Sequence, residues 1–213
     1  DLAALERALE RDAALAGAHA QAVAGNTGID AFDAWARELV ETGYLHNHAR
    51  MSFASIWIFT RRLPWQLGAA FFYRHLLDAC PASNTLSWRW VAGLQTPGKT
   101  YRAQAEIIRK TSLGRFRVDT PLAGDAPAPP PGQAIAPTGF GPFPEADPGA
   151  RSGLFVHTED LAVEQIGWPA AIRALAGPTG IDGDPADRKR AYADACLADG
   201  LARAGRHFGL EPD

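Results

Sequence analysis

Of the 213 residues only two are cysteine, Cys80 and Cys196, and a single one is methionine. No CxxC pair and no Cys/His cluster has the spacing of a zinc site, so neither a metal centre nor a disulfide framework is expected. That cysteine usage suits a reducing, cytoplasmic setting. Long apolar runs are missing too: each is interrupted by Arg, His or Asn short of the ~18 residues that a membrane span needs, so no membrane partner is expected. The opening residues DLAALERALERDAALAG mix charge with Ala and Leu and hold no signal-peptide core. An excess of one charge is also absent. With 21 Lys and Arg against 24 Asp and Glu the net charge is −3, which excludes a nucleic-acid binder that works through a uniformly basic surface. The first hundred residues show no period-2 alternation, and no segment repeats.

What the chain does have is tryptophan, with four of its six lying between Trp57 and Trp90. It also has helical periodicity. Leu2, Leu5, Leu9 and Leu15 among Ala, Glu and Arg predict an amphipathic helix from residue 2 to about 24. A second is expected from Ile29 to Gly43, a third from His46 to Arg62 before Pro64, and a fourth from Trp65 to Ala79, stopped by Pro81. Ser83-Asn84-Thr85 reads as a polar turn leading into one or two helical turns at Leu86–Val91. The expected fold is therefore mainly α over residues 1–118. Residues 119–152 read as a Pro/Gly-rich linker or extended strap, because nine of the 16 prolines fall between positions 121 and 148. The remainder, 153–213, reads as a small α or α/β tail. It offers a strand at Leu154–His157, a helix capped by Thr158, and a helix from Asp184-Pro185 to about His207.

Two features do not fit bland helices. The third helix places Asn47, Arg50, Met51 and Ala54 on one face, and a buried Arg50 would need a paired carboxylate, for which Asp78 is the candidate. From residue type alone such a pair reads as a tie between two helices, and Trp65, Trp88 and Trp90 read as core aromatics. His46 and His48 stand only two apart, which does not put two ligands on one helical face. Second, residues 99–117 hold Lys99, Arg102, Arg109, Lys110, Arg115 and Arg117 against Glu106 alone. A solvated surface and a phosphate contact explain that segment equally well.

Taken in order, the stretch from Gly25 to Gly93 resembles the FAD-binding helical domain of the DNA photolyase and cryptochrome family. The likeness lies in TG-x-x-x-x-D-A, then TG-x-x-HN-x-x-RM-x-x-AS, a tryptophan one helix on, D-x-x-x-x-x-N, and W-x-W. The resemblance implies FAD as cofactor, with Asn47, Arg50, Asp78, Ala79, Cys80 and Asn84 along the flavin, Arg50 paired to Asp78 and Asn84 facing N5. It implies electron transfer through Trp88 and Trp65, and damaged DNA near His48, Ala49, Met51 and Trp90. The implied activity is light-driven repair of a pyrimidine dimer by a carbon–carbon lyase. The chemistry suits these residue types, because indoles relay electrons while the flavin carries the redox step. The lesion must leave the duplex to reach it.

The pattern has departures. Cys80 stands where the family has a second acid, Asn84-Thr85-Leu86-Ser87 lacks the usual NNG, and the surface member of the tryptophan chain has no counterpart unless Trp57 serves. The antenna domain and roughly half of the FAD cradle have no counterpart either. A truncated or split chain that needs a complementing N-terminal chain or domain is therefore expected. Two other classes stay open: a cryptochrome-like light sensor without repair, and a helical remnant that no longer binds flavin.

Overall fold

The computed structural model describes residues 2–211 apart from 97–98, 132–138, 140, 143–146, 148–150, 169–170 and 182. The chain divides into two compact units, residues 1–132 and 133–213. The first is all-helical among its described residues: α1 Leu2–Arg11, α2 Ala13–Val23, α3 Asp30–Thr42, α4 Asn47–Ser55, α5 Trp65–His75, α6 Pro81–Ala92 and α7 Ala105–Thr111. The chain is mainly α, as the sequence predicts.

The predicted first helix is two. Asp12 breaks it: its backbone turns extended and its carboxylate accepts from the amides of Ala14 and Leu15, which caps α2. Asp33 does comparable work at the next junction. Buried on α3, it accepts from the Thr27 amide at 2.8 Å, the Thr27 hydroxyl at 2.6 Å and the Gly28 amide at 2.9 Å. The first TG-x-x-x-x-D motif is thus a lock on the turn that enters α3.

Beyond Ser55, α4 widens into a π turn, Ile56–Thr60, in which the amide of Arg61 reaches the carbonyl of Ile56. Ile56, Trp57, Ile58 and Phe59 are all buried. They join an aromatic core in which Phe32 stacks on Phe53 at 4.1 Å, and Trp57 and Phe72 both meet Trp88 edge-on, at 6.1 and 5.1 Å between ring centroids. Gly68 on α5 makes room for that meeting: a Cβ there would lie 2.3 Å from Trp88 Cη2 and 3.0 Å from Trp57 Cε2.

The fourth predicted helix ends early, at His75, because Leu76 turns extended and the amide of Leu77 bonds instead to the carbonyl of Gly43 at 3.0 Å. Pro81 does not stop that helix but opens α6 at its first position, where a missing N–H costs nothing. Ser83-Asn84-Thr85 is consequently helical, not a turn. The Thr85 hydroxyl bonds back to the Pro81 carbonyl. After α7, Leu122, Ala123 and Ala126 pack against this core, and the Ala123 amide donates to Thr60 Oγ1. Much of the expected linker lies outside the described residues.

The second unit pairs β1, Ser152–Phe155, in parallel with β2, Ile172–Ala176, a strand that the sequence reading missed. The helix expected after Thr158 is replaced by a turn, in which His157 Nδ1 accepts from the Glu159 amide, and a 3-10 segment Val163–Gln165. Helix α8, Asp187–Phe208, starts later than the Asp184 cap proposed, at an extended Ala186, and packs on β2. Leu154, Val156, Val163, Leu175, Leu197 and Ala204 form its small core, clamped by Arg203 on Glu164, Asp199 and the Leu161 carbonyl. Among the described residues no helix is long and apolar enough to cross a membrane.

Two substitutions test this framework. Asp33→Ala orphans three donors and is expected to cost about 2–3 kcal/mol, read as a lower urea midpoint at unchanged slope. Gly68→Ala drives a methyl group into two indoles and is expected to cost about 1–3 kcal/mol, with an altered near-ultraviolet circular dichroism signal from the displaced tryptophans.

Candidate flavin cavity

A cavity of about 550 Å³ opens between α4, the segment leaving α5, and α6. The face predicted for the third helix, Asn47, Arg50, Met51 and Ala54, lines it in full, together with Asp78, Ala79, Asn84, Trp88 and Trp90. Its size lies within the ~300–1,000 Å³ range of cofactor and ligand sites.

Arg50 is fixed from three sides. Its Nε donates to the Leu45 carbonyl at 2.7 Å, its Nη2 donates to Asp78 Oδ2 at 3.0 Å, and the Tyr44 ring lies 5.7 Å from the guanidinium carbon. The bond from Leu77 to Gly43 presses the Asp78 segment onto the turn before α4, which brings the two charges together. The pair is not a buried tie. The Arg50 side chain is 25% exposed and that of Asp78 61%, so both keep edges open to the cavity and their mutual attraction is worth little to stability.

Asn84, half-buried on α6, donates through Nδ2 to the Ala69 carbonyl at 2.8 Å. With that hydrogen committed to α5, its Oδ1 remains as an acceptor on the cavity wall. Trp88 is fully buried, and its Nε1 has no acceptor among the described residues. Trp90 is 42% exposed and stacks on Tyr101 at 6.1 Å. Asn47 is exposed, with Nδ2 3.9 Å from Met51 Sδ.

Four predicted residues stand off the lining. His48 is exposed and stacks on His46, Ala49 is buried, Cys80 is the half-buried residue before α6, and Trp65 is half-buried at the start of α5. Trp57 is fully buried and donates to the Pro64 carbonyl, so it provides no surface end to a tryptophan chain. The lining also includes Phe72, Leu76, Ser83, Leu86, Ser87, Val91 and Gln95. Of these, Ser83, Ser87 and Val91 share one helical face at the spacing 83–87–91, which reading 83–85 as a turn conceals.

The donor set fits an isoalloxazine ring. One wall offers a cation, a carboxylate and an amide to the polar edge of such a ring, and the other offers Ala54, Phe72, Leu76 and Val91. Among the lining residues Arg50 is the only cation, and it already serves Asp78. The cavity therefore suits the ring better than a diphosphate.

The basic segment is partly absorbed by structure. Arg102 stacks on Phe59, 3.4 Å from the ring centroid, and donates to the Ala126 carbonyl; burial lowers its pKa against the opposing charge of Asp125. Arg109 pairs with Glu106 and Arg115 with Glu38. Among the described residues no group of three or more His, Cys, Asp or Glu could hold a metal.

Residues 6–113, half of the chain, match the family described as the FAD binding domain of DNA photolyase. Similar curated proteins include a deoxyribodipyrimidine photo-lyase of Streptomyces griseus, 39% identical over 85 residues, which are 40% of this chain and 19% of that protein. Another, from Agrobacterium fabrum, is 44% identical over 69 residues, 32% of this chain and 14% of its own length. Cryptochrome-1 of Arabidopsis thaliana is 39% identical over 69 residues, 32% of this chain and 10% of its own length. The matches thus span less than a fifth of these relatives. No solved structure gives a significant match. With its motifs in order and its domain matched over half its length, the chain belongs to the DNA photolyase and cryptochrome family through the FAD-binding domain.

Proposed function

We propose that the chain is a photolyase-type flavoprotein whose α4–α6 cavity holds the ring end of FAD for light-driven repair of pyrimidine dimers in DNA. The Arg50–Asp78 pair carries this reading, because it is open to the cavity instead of sealed in the core. Arg50 would donate to the ring's carbonyl edge and Asp78 accept from its ring N–H. Asn84, its amide hydrogen held by Ala69, would present Oδ1 to N5 and favour the protonated states. When bound and reduced, FAD supplies the electron that opens the dimer. Trp90, Leu86 and Met51 form an apolar rim suited to bases extruded from the duplex. Trp88, in contact with Trp57, would serve as the indole next to the flavin.

A second reading, a cryptochrome-like light sensor without repair, is favoured by Cys80 in place of an acid and by the similarity to Cryptochrome-1. The two separate in one series of experiments. The chain alone is expected to bind FAD weakly or not at all and to bind it firmly when a complementing N-terminal photolyase domain is supplied, measured by flavin fluorescence and absorbance. Arg50→Ala is expected to weaken binding about 10- to 100-fold, the loss of one charge-assisted hydrogen bond and its ordered pair, while its melting temperature changes little. Blue light should then remove cyclobutane dimers from an irradiated oligonucleotide. Flavin binding without dimer loss selects the sensor, and absence of flavin binding by the unaltered protein, both alone and with a complementing N-terminal photolyase domain, defeats both readings.

A further inference from the structure

Helix α7 ends in a way that its sequence should avoid. The amide of Gly114 bonds to the Arg109 carbonyl at 2.8 Å and that of Leu113 to the Lys110 carbonyl at 3.2 Å, the double closure that places one residue in the left-handed region, usually glycine. Here that residue is Leu113, with φ +53°. It is also 95% exposed, the most exposed of the large apolar residues described. Leu113 is disfavoured twice, by its backbone and by its solvent-facing side chain, and it gains no packing in return. The other non-glycine residue with positive φ among those described is Arg62, whose exposure carries no apolar penalty.

The tip is anchored on both sides. Ile108 before it is fully buried. Phe116 after it is buried edge-on against Trp35 at 5.6 Å, and Ser112 Oγ accepts from the Phe116 amide. A Cβ added at Gly114 would meet nothing within 4 Å, so the space around the tip is open. Cations surround it in sequence: Arg109 and Lys110 in the last turn of α7, then Arg115 and Arg117, all exposed. Glu106 and Glu38 balance Arg109 and Arg115, while Lys110 and Arg117 take part in no ion pair among the described residues.

We propose that Leu113 is an apolar wedge that enters a nucleic-acid duplex while Lys110 and Arg117 hold the flanking phosphates. An exposed leucine on an anchored tip, with Lys110 and Arg117 on either side of it in sequence, is complementary to a polyanion with a stacked apolar interior, and wedges of this type unstack base steps and bend the duplex. The helix α7 packs on α4, which supplies Asn47, Arg50 and Met51 to the cavity. A duplex kinked at the tip would have a destacked base step to offer. The proposal rests on the reading that this chain meets DNA.

Leu113→Gly tests it, because the change relieves the backbone and cannot be mistaken for unfolding. The melting temperature is expected to rise by a few degrees. Binding to a short fluorescein-labelled duplex, followed by anisotropy, is expected to weaken about tenfold or more, with an unchanged dependence on salt. Lys110→Gln is expected to reduce the salt slope by about one. Equal duplex affinity for Leu113→Gly and the unaltered protein overturns the wedge. So does a loss of binding confined to phosphatidylserine vesicles. If the unaltered protein binds neither irradiated nor undamaged duplex, the DNA reading falls and the wedge with it. Duplex binding that depends on Leu113 without dimer loss under light leaves the wedge standing and overturns repair alone.

Discussion

The close approach of α5 and α6 at Gly68 is the constraint on which the site depends. Two indoles occupy the space that a side chain at position 68 would fill, and the edge-on contact of Trp88 with Trp57 and Phe72 fixes how α6 crosses α5. From that crossing, Asn84 falls one turn before Trp88 and within reach of the Ala69 carbonyl. The π turn contributes from the other side, carrying Ile56, Trp57, Ile58 and Phe59 into the same core, where Trp57 meets Trp88. The cavity is thus the gap left once the aromatic core has chosen its packing.

Polarity in that gap is sparse and directed. The Arg50–Asp78 pair contributes little to holding the helices together, because both side chains keep solvent contact. Its position follows from the backbone bond of Leu77 to Gly43 and from Arg50 Nε donating to the Leu45 carbonyl, which would hold whether or not the charges attracted one another. An ion pair located by its surroundings and left half open is available to a ligand. A pair that located the helices would have to be closed.

Much of this was legible in the residues, and the failures have physical causes. The face of Asn47, Arg50, Met51 and Ala54 followed from helical spacing alone and lines the cavity intact. The motif order carried the family. Helix ends are harder, because a proline reads both as a stop and as a first turn: at Pro81 the sequence predicts the first and the structure shows the second. Asp12 was hidden within a strong helical pattern, and its role emerges only with the two amides that it caps. In the second unit β2 escaped notice because Ile172–Ala176 is too short, and too rich in alanine, to show alternation. Leu113 could not be suspected at all from its residue type. Its oddity lies in a dihedral angle and an exposure.

Satisfied and unsatisfied polar groups divide the first unit in an informative way. Asp33, buried at the turn before α3, has its acceptor capacity filled by Thr27 and Gly28, and Ser55 accepts the Ala103 amide inside the core. These are groups whose work is finished on folding. Trp88 Nε1 and the Tyr101 hydroxyl are buried without partners, and one ring lines the cavity while the other stacks on Trp90 at its rim. An unpaired buried donor costs roughly 1–3 kcal/mol, and a protein of ordinary stability carries few. Ser52 Oγ, Arg61 Nε and Arg102 Nη1 are buried without partners as well, off the cavity lining, so what marks Trp88 and Tyr101 is their place at the cavity and its aromatic rim and not the unpaired group alone. The TG-x-x-x-x-D motif, which belongs to the satisfied class, is architecture that aims the helices, and the Asn47-to-Met51 and Asn84-to-Trp90 segments are what it aims.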